Sequence, residues 1–154
     1  MSDWKRKTQE VPFESLLPEM IAAINKHIEQ YNLGPILSDT IMCIQTDSIK
    51  EKKGLFSSEE TVHTGAAITP RWLVWATSGT NTETTVLSAQ LIDVVVQDYS
   101  QSEFAKMIPD SGLNVSGKLT DISESSTAFI GLDESNVADK FKETVIKAVQ
   151  DSKK

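Results

Sequence analysis

Apolar side chains recur at three- and four-residue intervals between Leu16 and Tyr31, at Leu17, Met20, Ile21, Ile24, Ile28 and Tyr31. That spacing follows the 3.6-residue turn and predicts an amphipathic helix with Asn25, Lys26, Glu29 and Gln30 on its solvated face. Ser15 is the expected N-cap, Pro18 is tolerated in a first turn, and Asn32-Leu33-Gly34-Pro35 is a strong stop. From Asp39 the pattern turns to β-branched runs and two-residue alternation. Strands are expected over 40–46, 60–68, 71–77, 83–88, 91–98, 113–119 and 127–132, seven in all. Thr69-Pro70 and Ser78-Gly79-Thr80-Asn81 read as turns between them. A one-turn helix fits 102–108, where Phe104, Met107 and Ile108 share a face. The chain closes on a second amphipathic helix over 136–150, with Val137, Phe141, Val145, Ala148 and Val149 in one stripe and Asp133 or Ser135 as its cap.

Strands between two helices make an α+β domain. At 154 residues the chain is long enough for one real core and too short for two comfortable ones. It is therefore read as a single structural domain, with a tail and amphipathic helix over 1–36 and the main body over 37–154. Trp72 and Trp75 are three apart in a strand, so they face opposite sides of the sheet. Whichever of Leu73/Trp75 and Trp72/Val74 lines the interior, the other pair leaves an apolar outer patch. The stripe of Leu17, Met20, Ile21, Ile24 and Ile28 is too large to leave in water and is expected to cover it, in the same chain or across a dimer.

The segments Gly65-Ala66-Ala67-Ile68-Thr69-Pro70-Arg71-Trp72-Leu73-Val74-Trp75 and Gly112-Leu113-Asn114-Val115-Ser116-Gly117, leading through Phe129-Ile130-Gly131-Leu132 to the helix of Phe141, carry a resemblance. Over about residues 37–150 the chain resembles the pleckstrin-homology-like barrel, in particular its small bacterial versions. The resemblance implies a seven-stranded antiparallel barrel of two nearly orthogonal sheets, with the last helix plugging an open corner and the first helix an addition. It also implies a phospholipid-headgroup site on the first inter-strand loop and the next strand, matched in position by Lys50, Lys52, Lys53 and Arg71. The family's basic residue two before the arginine is here Thr69.

Charge narrows the partners. The net charge of -7 divides into -2 over residues 1–80, with eight basic and ten acidic groups, and -5 over 81–154, with seven and twelve. Such a field disfavours nucleic acid and anionic bilayers, leaving only a local basic patch for contact at a membrane surface. The loop from Lys50 carries three positive and three negative charges up to Glu60, so it is close to neutral. No stretch has the roughly 18 consecutive apolar residues of a transmembrane helix, the charged start has no apolar run behind it, and the single cysteine fits a reducing cytoplasm.

Candidate chemistry is sparse. There is no Gly-rich phosphate loop, no His-x-x-x-His or Cys-x-x-Cys spacing and no Gly-x-Ser-x-Gly elbow, so neither a cofactor nor a metal is expected. His27 and His63 are read as structural or surface residues, Cys43 as a small buried strand residue, and Asp93, Asp98 and Asp121 as solvated carboxylates. Three functions compete on these grounds. The first is a noncatalytic binding or assembly module for a protein or another copy of itself, with Trp72, Val74, Leu17, Ile21, Ile24 and Ile28 as its interaction surface. The second is a peripheral lipid-headgroup module acting through the 50–53 loop. The third is a small enzyme with an acid–base pocket.

Overall fold

A computed structural model describes residues 4–50, 54–55, 59–80 and 82–154. Among the described residues, eight strands form two antiparallel sheets. β1 (Trp4–Glu10), β2 (Met42–Lys50), β3 (Glu60–Ile68), β4 (Trp72–Gly79) and β5 (Thr82–Gln90) make a five-stranded meander in chain order. β6 (Val94–Asp98), β7 (Gly112–Gly117) and β8 (Ser126–Gly131) make a three-stranded one. The helices are α1 (Pro18–Gln30) and α2 (Asn136–Ser152).

Each of the seven expected strands has a counterpart, but the expected barrel does not close among the described residues. The strands divide five and three, and no ladder joins β1 to β8 or β5 to β6. The eighth strand, β1, lies where a tail was expected. Trp-Lys-Arg-Lys-Thr-Gln-Glu has too few apolar residues to announce a strand by hydrophobicity, and it is the open edge of β2 that makes it one. β1 pairs along its whole length, from Trp4 opposite Lys50 to Glu10 opposite Ile44. Its alternation is legible only in retrospect: Thr8 is buried and Trp4 and Arg6 are half-buried, while Lys5, Lys7 and Gln9 are exposed.

The helices begin by different devices. Ser15 does not cap α1; it ends a 3-10 turn over Phe13–Ser15, and the helix starts at Pro18, whose missing N–H would have had no intrahelical partner. The preceding Leu17 N–H donates instead to Gln45 Oε1 at 3.1 Å, which anchors the start of the helix to β2. α2 is capped by Ser135, whose Oγ accepts from Ala138 N at 3.2 Å. Asp133 supports that cap by accepting from Ser135 N.

Two cores lie on opposite faces of the five-stranded sheet. Inside, Ile44, Ile68, Leu73 and Trp75 meet Leu113, Val115 and Ile130 of the smaller sheet and Phe141 and Val145 of α2. Outside, Leu16, Met20 and Ile24 cover Cys43, Ala67, Val74 and Ala76, with Trp72, Leu17, Ile21 and Ile28 packed at the margin. α1 thus covers the outer face within its own chain. Gly65 makes that close approach workable, since a Cβ there would sit 2.9 Å from a Leu16 methyl.

Candidate functional site

The inner face of the large sheet changes character along its strands. At one end β2 and β3 contribute Met42, Ile44, Ala66 and Ile68; at the other they contribute Thr46, Ser48 and Thr64, and β1 adds Thr8 and Arg6. Thr8 and Thr46 bond through their hydroxyls at 2.8 Å. Thr8 also links β1 to the start of α2, donating its N–H to Asp133 Oδ2 at 2.8 Å and accepting from Asp133 N at 3.0 Å.

Arg6 is the centre of this polar end. Its side chain is only 8 % exposed. Nε donates to Ser48 Oγ at 3.1 Å, while Nη1 and Nη2 donate to the two carboxylate oxygens of Asp110. The guanidinium lies 5.6 Å from the ring centroids of both Trp4 and Phe129. Gly131 of β8 leaves the space, since a Cβ there would stand 2.7 Å from Arg6 Nε. A charge this buried is tolerable only with such partners.

Two clefts meet at the guanidinium. One, of about 480 Å³, is walled by Trp4, Arg6, Ser100, Ala105, Pro109, Asp110, Ser111, Asp133 and Glu134; the other, of about 270 Å³, shares Trp4, Arg6 and Asp110 and reaches Thr64 and Phe129. Burial pushes the Asp133 carboxyl up, but hydrogen bonds from Ser135 and Thr8 outweigh it and hold the group below the usual carboxylate range. The connection from β6 to β7 forms one wall of the larger cleft. The helix expected there is a 3-10 turn over Glu103–Lys106, and Phe104, Met107 and Ile108 are 64 %, 81 % and 63 % exposed. Tyr99 braces the base of this crest, its hydroxyl donating to Ile108 O at 2.6 Å and its ring meeting Phe129 edge-on at 5.2 Å.

The structure distributes the residues singled out in the sequence widely. Lys50 ends β2 with its ammonium 5.8 Å from the Trp4 centroid, while Lys52 and Lys53 lie outside the described residues. Arg71 is exposed beside the first residue of β4, whereas Lys50 sits near that strand's last residues. An eight-residue strand separates the two, roughly 26 Å, too far for one headgroup to bridge. Ile24 of α1 and Val74 of β4 are fully buried between the helix and the sheet, and Leu17, Ile21, Ile28 and Trp72 border the same contact, so this chain itself occupies that surface.

Of the titratable residues singled out in the sequence, His27, His63, Asp98 and Asp121 have structural partners. His27 Nε2 is 2.8 Å from Ser88 Oγ, which donates to Thr120 Oγ1 at 2.7 Å, assigning the imidazole proton to Nε2. Burial lowers the His27 pKa, against a smaller opposing pull from Asp121. His63 Nδ1 is 2.6 Å from Asp47 Oδ1 on the outer face of the sheet. Burial pushes the Cys43 thiol up to about 12, which leaves it unreactive. Burial raises the Asp98 pKa, but bonds from Lys142 and Ser100 reverse the effect and keep it low. Asp121 accepts from the Tyr31 hydroxyl at 2.9 Å.

The residues at the seam, Arg6, Trp4, Asp110 and Asp133, were not legible as a site, because the strand that carries Arg6 was not itself legible. The weak signal was the two-residue alternation of Trp4, Arg6 and Thr8 against Lys5, Lys7 and Gln9. Among the described residues no three or more His, Cys, Asp or Glu side chains gather as a metal site, and no helix is long and apolar enough to cross a membrane.

Fold and site together define an α+β protein of two antiparallel sheets with an N-terminal and a C-terminal helix and a polar seam at one end. Compared with protein-family models, with curated proteins and with solved structures, the chain finds no match.

Proposed function

We propose that the chain is a noncatalytic protein-binding module, built on a pleckstrin-homology-like plan and engaging its partner through the crest of Phe104, Met107 and Ile108. The plan is supported by β2–β5, then β6–β8, then α2, a four-plus-three order of antiparallel strands followed by one helix. On this reading β1 and α1 are additions.

One observation carries the functional part: three large apolar side chains stand more than 60 % exposed within five residues, on a connection anchored to the fold through Tyr99. Single exposed apolar residues are ordinary, but an anchored cluster is characteristic of contact surfaces. The histidines favour binding over catalysis, since His27 is buried against Ser88 and the His63–Asp47 pair lies on the outer sheet face, away from the clefts at the seam.

The test is site-specific photo-cross-linking from p-benzoylphenylalanine introduced at Met107, in cells that make the protein. A discrete protein adduct that disappears when Phe104 and Ile108 are both changed to Ser is the expected result. Adducts that persist in that double variant, or that contain lipid alone, would show the crest is not a protein-contact surface. Because all three side chains are exposed, the substitutions should leave stability within about 0.5 kcal/mol, so loss of the adduct will not reflect unfolding.

A further inference from the structure

We propose that the segment bound at the crest carries a lysine or arginine side chain that enters the 480 Å³ cleft beside Glu134, while its apolar neighbours pack on Phe104, Met107 and Ile108. This rests on the protein-binding reading of the crest and adds the chemistry of the partner.

The crest and the cleft are one surface. Ala105 and Pro109 line the cleft wall, and Phe104, Met107 and Ile108 alternate with them along the same short segment. A chain lying on the apolar side chains therefore runs past the mouth of the cleft. The charges inside select what enters. Among the described residues, Arg6 contributes one positive charge to the cleft lining, and Asp110, Asp133 and Glu134 contribute three negative ones. The guanidinium is spent on Asp110 and Ser48, which leaves little of it to attract an anion. Asp133 stays ionised because its hydrogen bonds favour the charged form. Glu134 is exposed and makes no ion pair among the described residues.

A cation therefore meets a lining that is net negative among the described residues, and the Trp4 indole offers an apolar wall for the methylenes of a long basic side chain. A bilayer fits less well. Anionic headgroups meet the same negative cleft and the chain's net charge of -7, while a neutral bilayer brings no side chain to fill it.

The experiment uses the full chain, isotopically labelled for NMR, and three capped eight-residue peptides. They are identical in carrying leucines around one central position, which is lysine, glutamine or glutamate. The lysine peptide should shift the Trp4 indole and the amides of 104–108 and bind about tenfold more tightly than the glutamate peptide, since the two differ by an attraction and a repulsion at one site. Glu134→Gln should shrink that difference to roughly threefold, and 1 M salt should nearly abolish it. Met107→Ser should weaken every peptide alike.

Equal binding of all three peptides, still sensitive to Met107→Ser, overturns the cationic side chain while the crest remains a binding surface. If no peptide shifts 104–108 at millimolar concentration, both readings fall. Vesicles of phosphatidylglycerol and phosphatidylcholine that shift 104–108 where the lysine peptide does not would name a bilayer as the occupant and overturn the proposal.

Discussion

Arg6 and His27 illustrate how far a single buried polar residue depends on its partners. For Arg6, deleting the carboxylate opposite it is worse than deleting both groups, since the survivor of a broken pair keeps its desolvation cost and loses its compensation. Asp110→Asn is expected to cost about 3 kcal/mol, and Arg6→Met combined with Asp110→Leu should cost less than that single change. Urea melts of the two variants check this, and a double variant less stable than Asp110→Asn would mean the pair contributes net stability. His27 makes a pH prediction. Its folded-state pKa lies below the unfolded value of about 6.5, so between the two values the unfolded chain binds more protons and stability rises with pH. Stability should therefore fall as pH drops through about 6.5 toward the folded pKa, with no further loss from this group below it. In His27→Gln that part of the slope should vanish, leaving the acid loss that begins near pH 4 with carboxylates such as Asp98 and Asp133. Identical pH profiles for the two proteins, measured by denaturant melts, would contradict the assignment.

The two helices serve different cores. Ile24 of α1 and Phe141 of α2 are both fully buried, on opposite faces of the five-stranded sheet and with different neighbours. Ile24→Val and Phe141→Leu should each cost about 1 kcal/mol, and the double variant should lose their sum to within about 0.5 kcal/mol. A large coupling energy would mean that β4, which carries Val74 toward one core and Leu73 toward the other, transmits strain between them. The helices were legible in the sequence because a 3.6-residue apolar stripe has few other uses. Strand ends were less so: the ladder of β2 continues to Lys50, beyond the apolar run, since backbone pairing with β1 and β3 and not side-chain character decides where it stops. The one-turn helix expected over 102–108 is present as a 3-10 turn over Glu103–Lys106, but the exposure of its apolar side chains was not legible. Phe104, Met107 and Ile108 share one short segment, but whether such a face is buried depends on what packs against it, and among the described residues all three stand more than 60 % exposed.

At the scale of the whole molecule, the sequence by itself determined the class, the order of α1, seven of the strands and α2, the opposed faces of Trp72 and Trp75, and the need of the first helix for an apolar surface. These follow from local periodicity, which each segment carries within its own residues. Only the tertiary structure decided that Trp4–Glu10 is a strand, that eight strands divide five and three instead of closing as seven, and that Lys50 and Arg71 stand at opposite ends of one sheet. It alone assembled the seam, where Arg6 meets Ser48, Asp110 and Gly131 from positions up to 125 residues away. The physical reason is that a polar edge strand and a buried ion pair are stabilised by what lies across from them. Hydrogen bonds to a neighbouring strand and charge compensation across a seam are properties of pairs, and a linear pattern records only one member at a time.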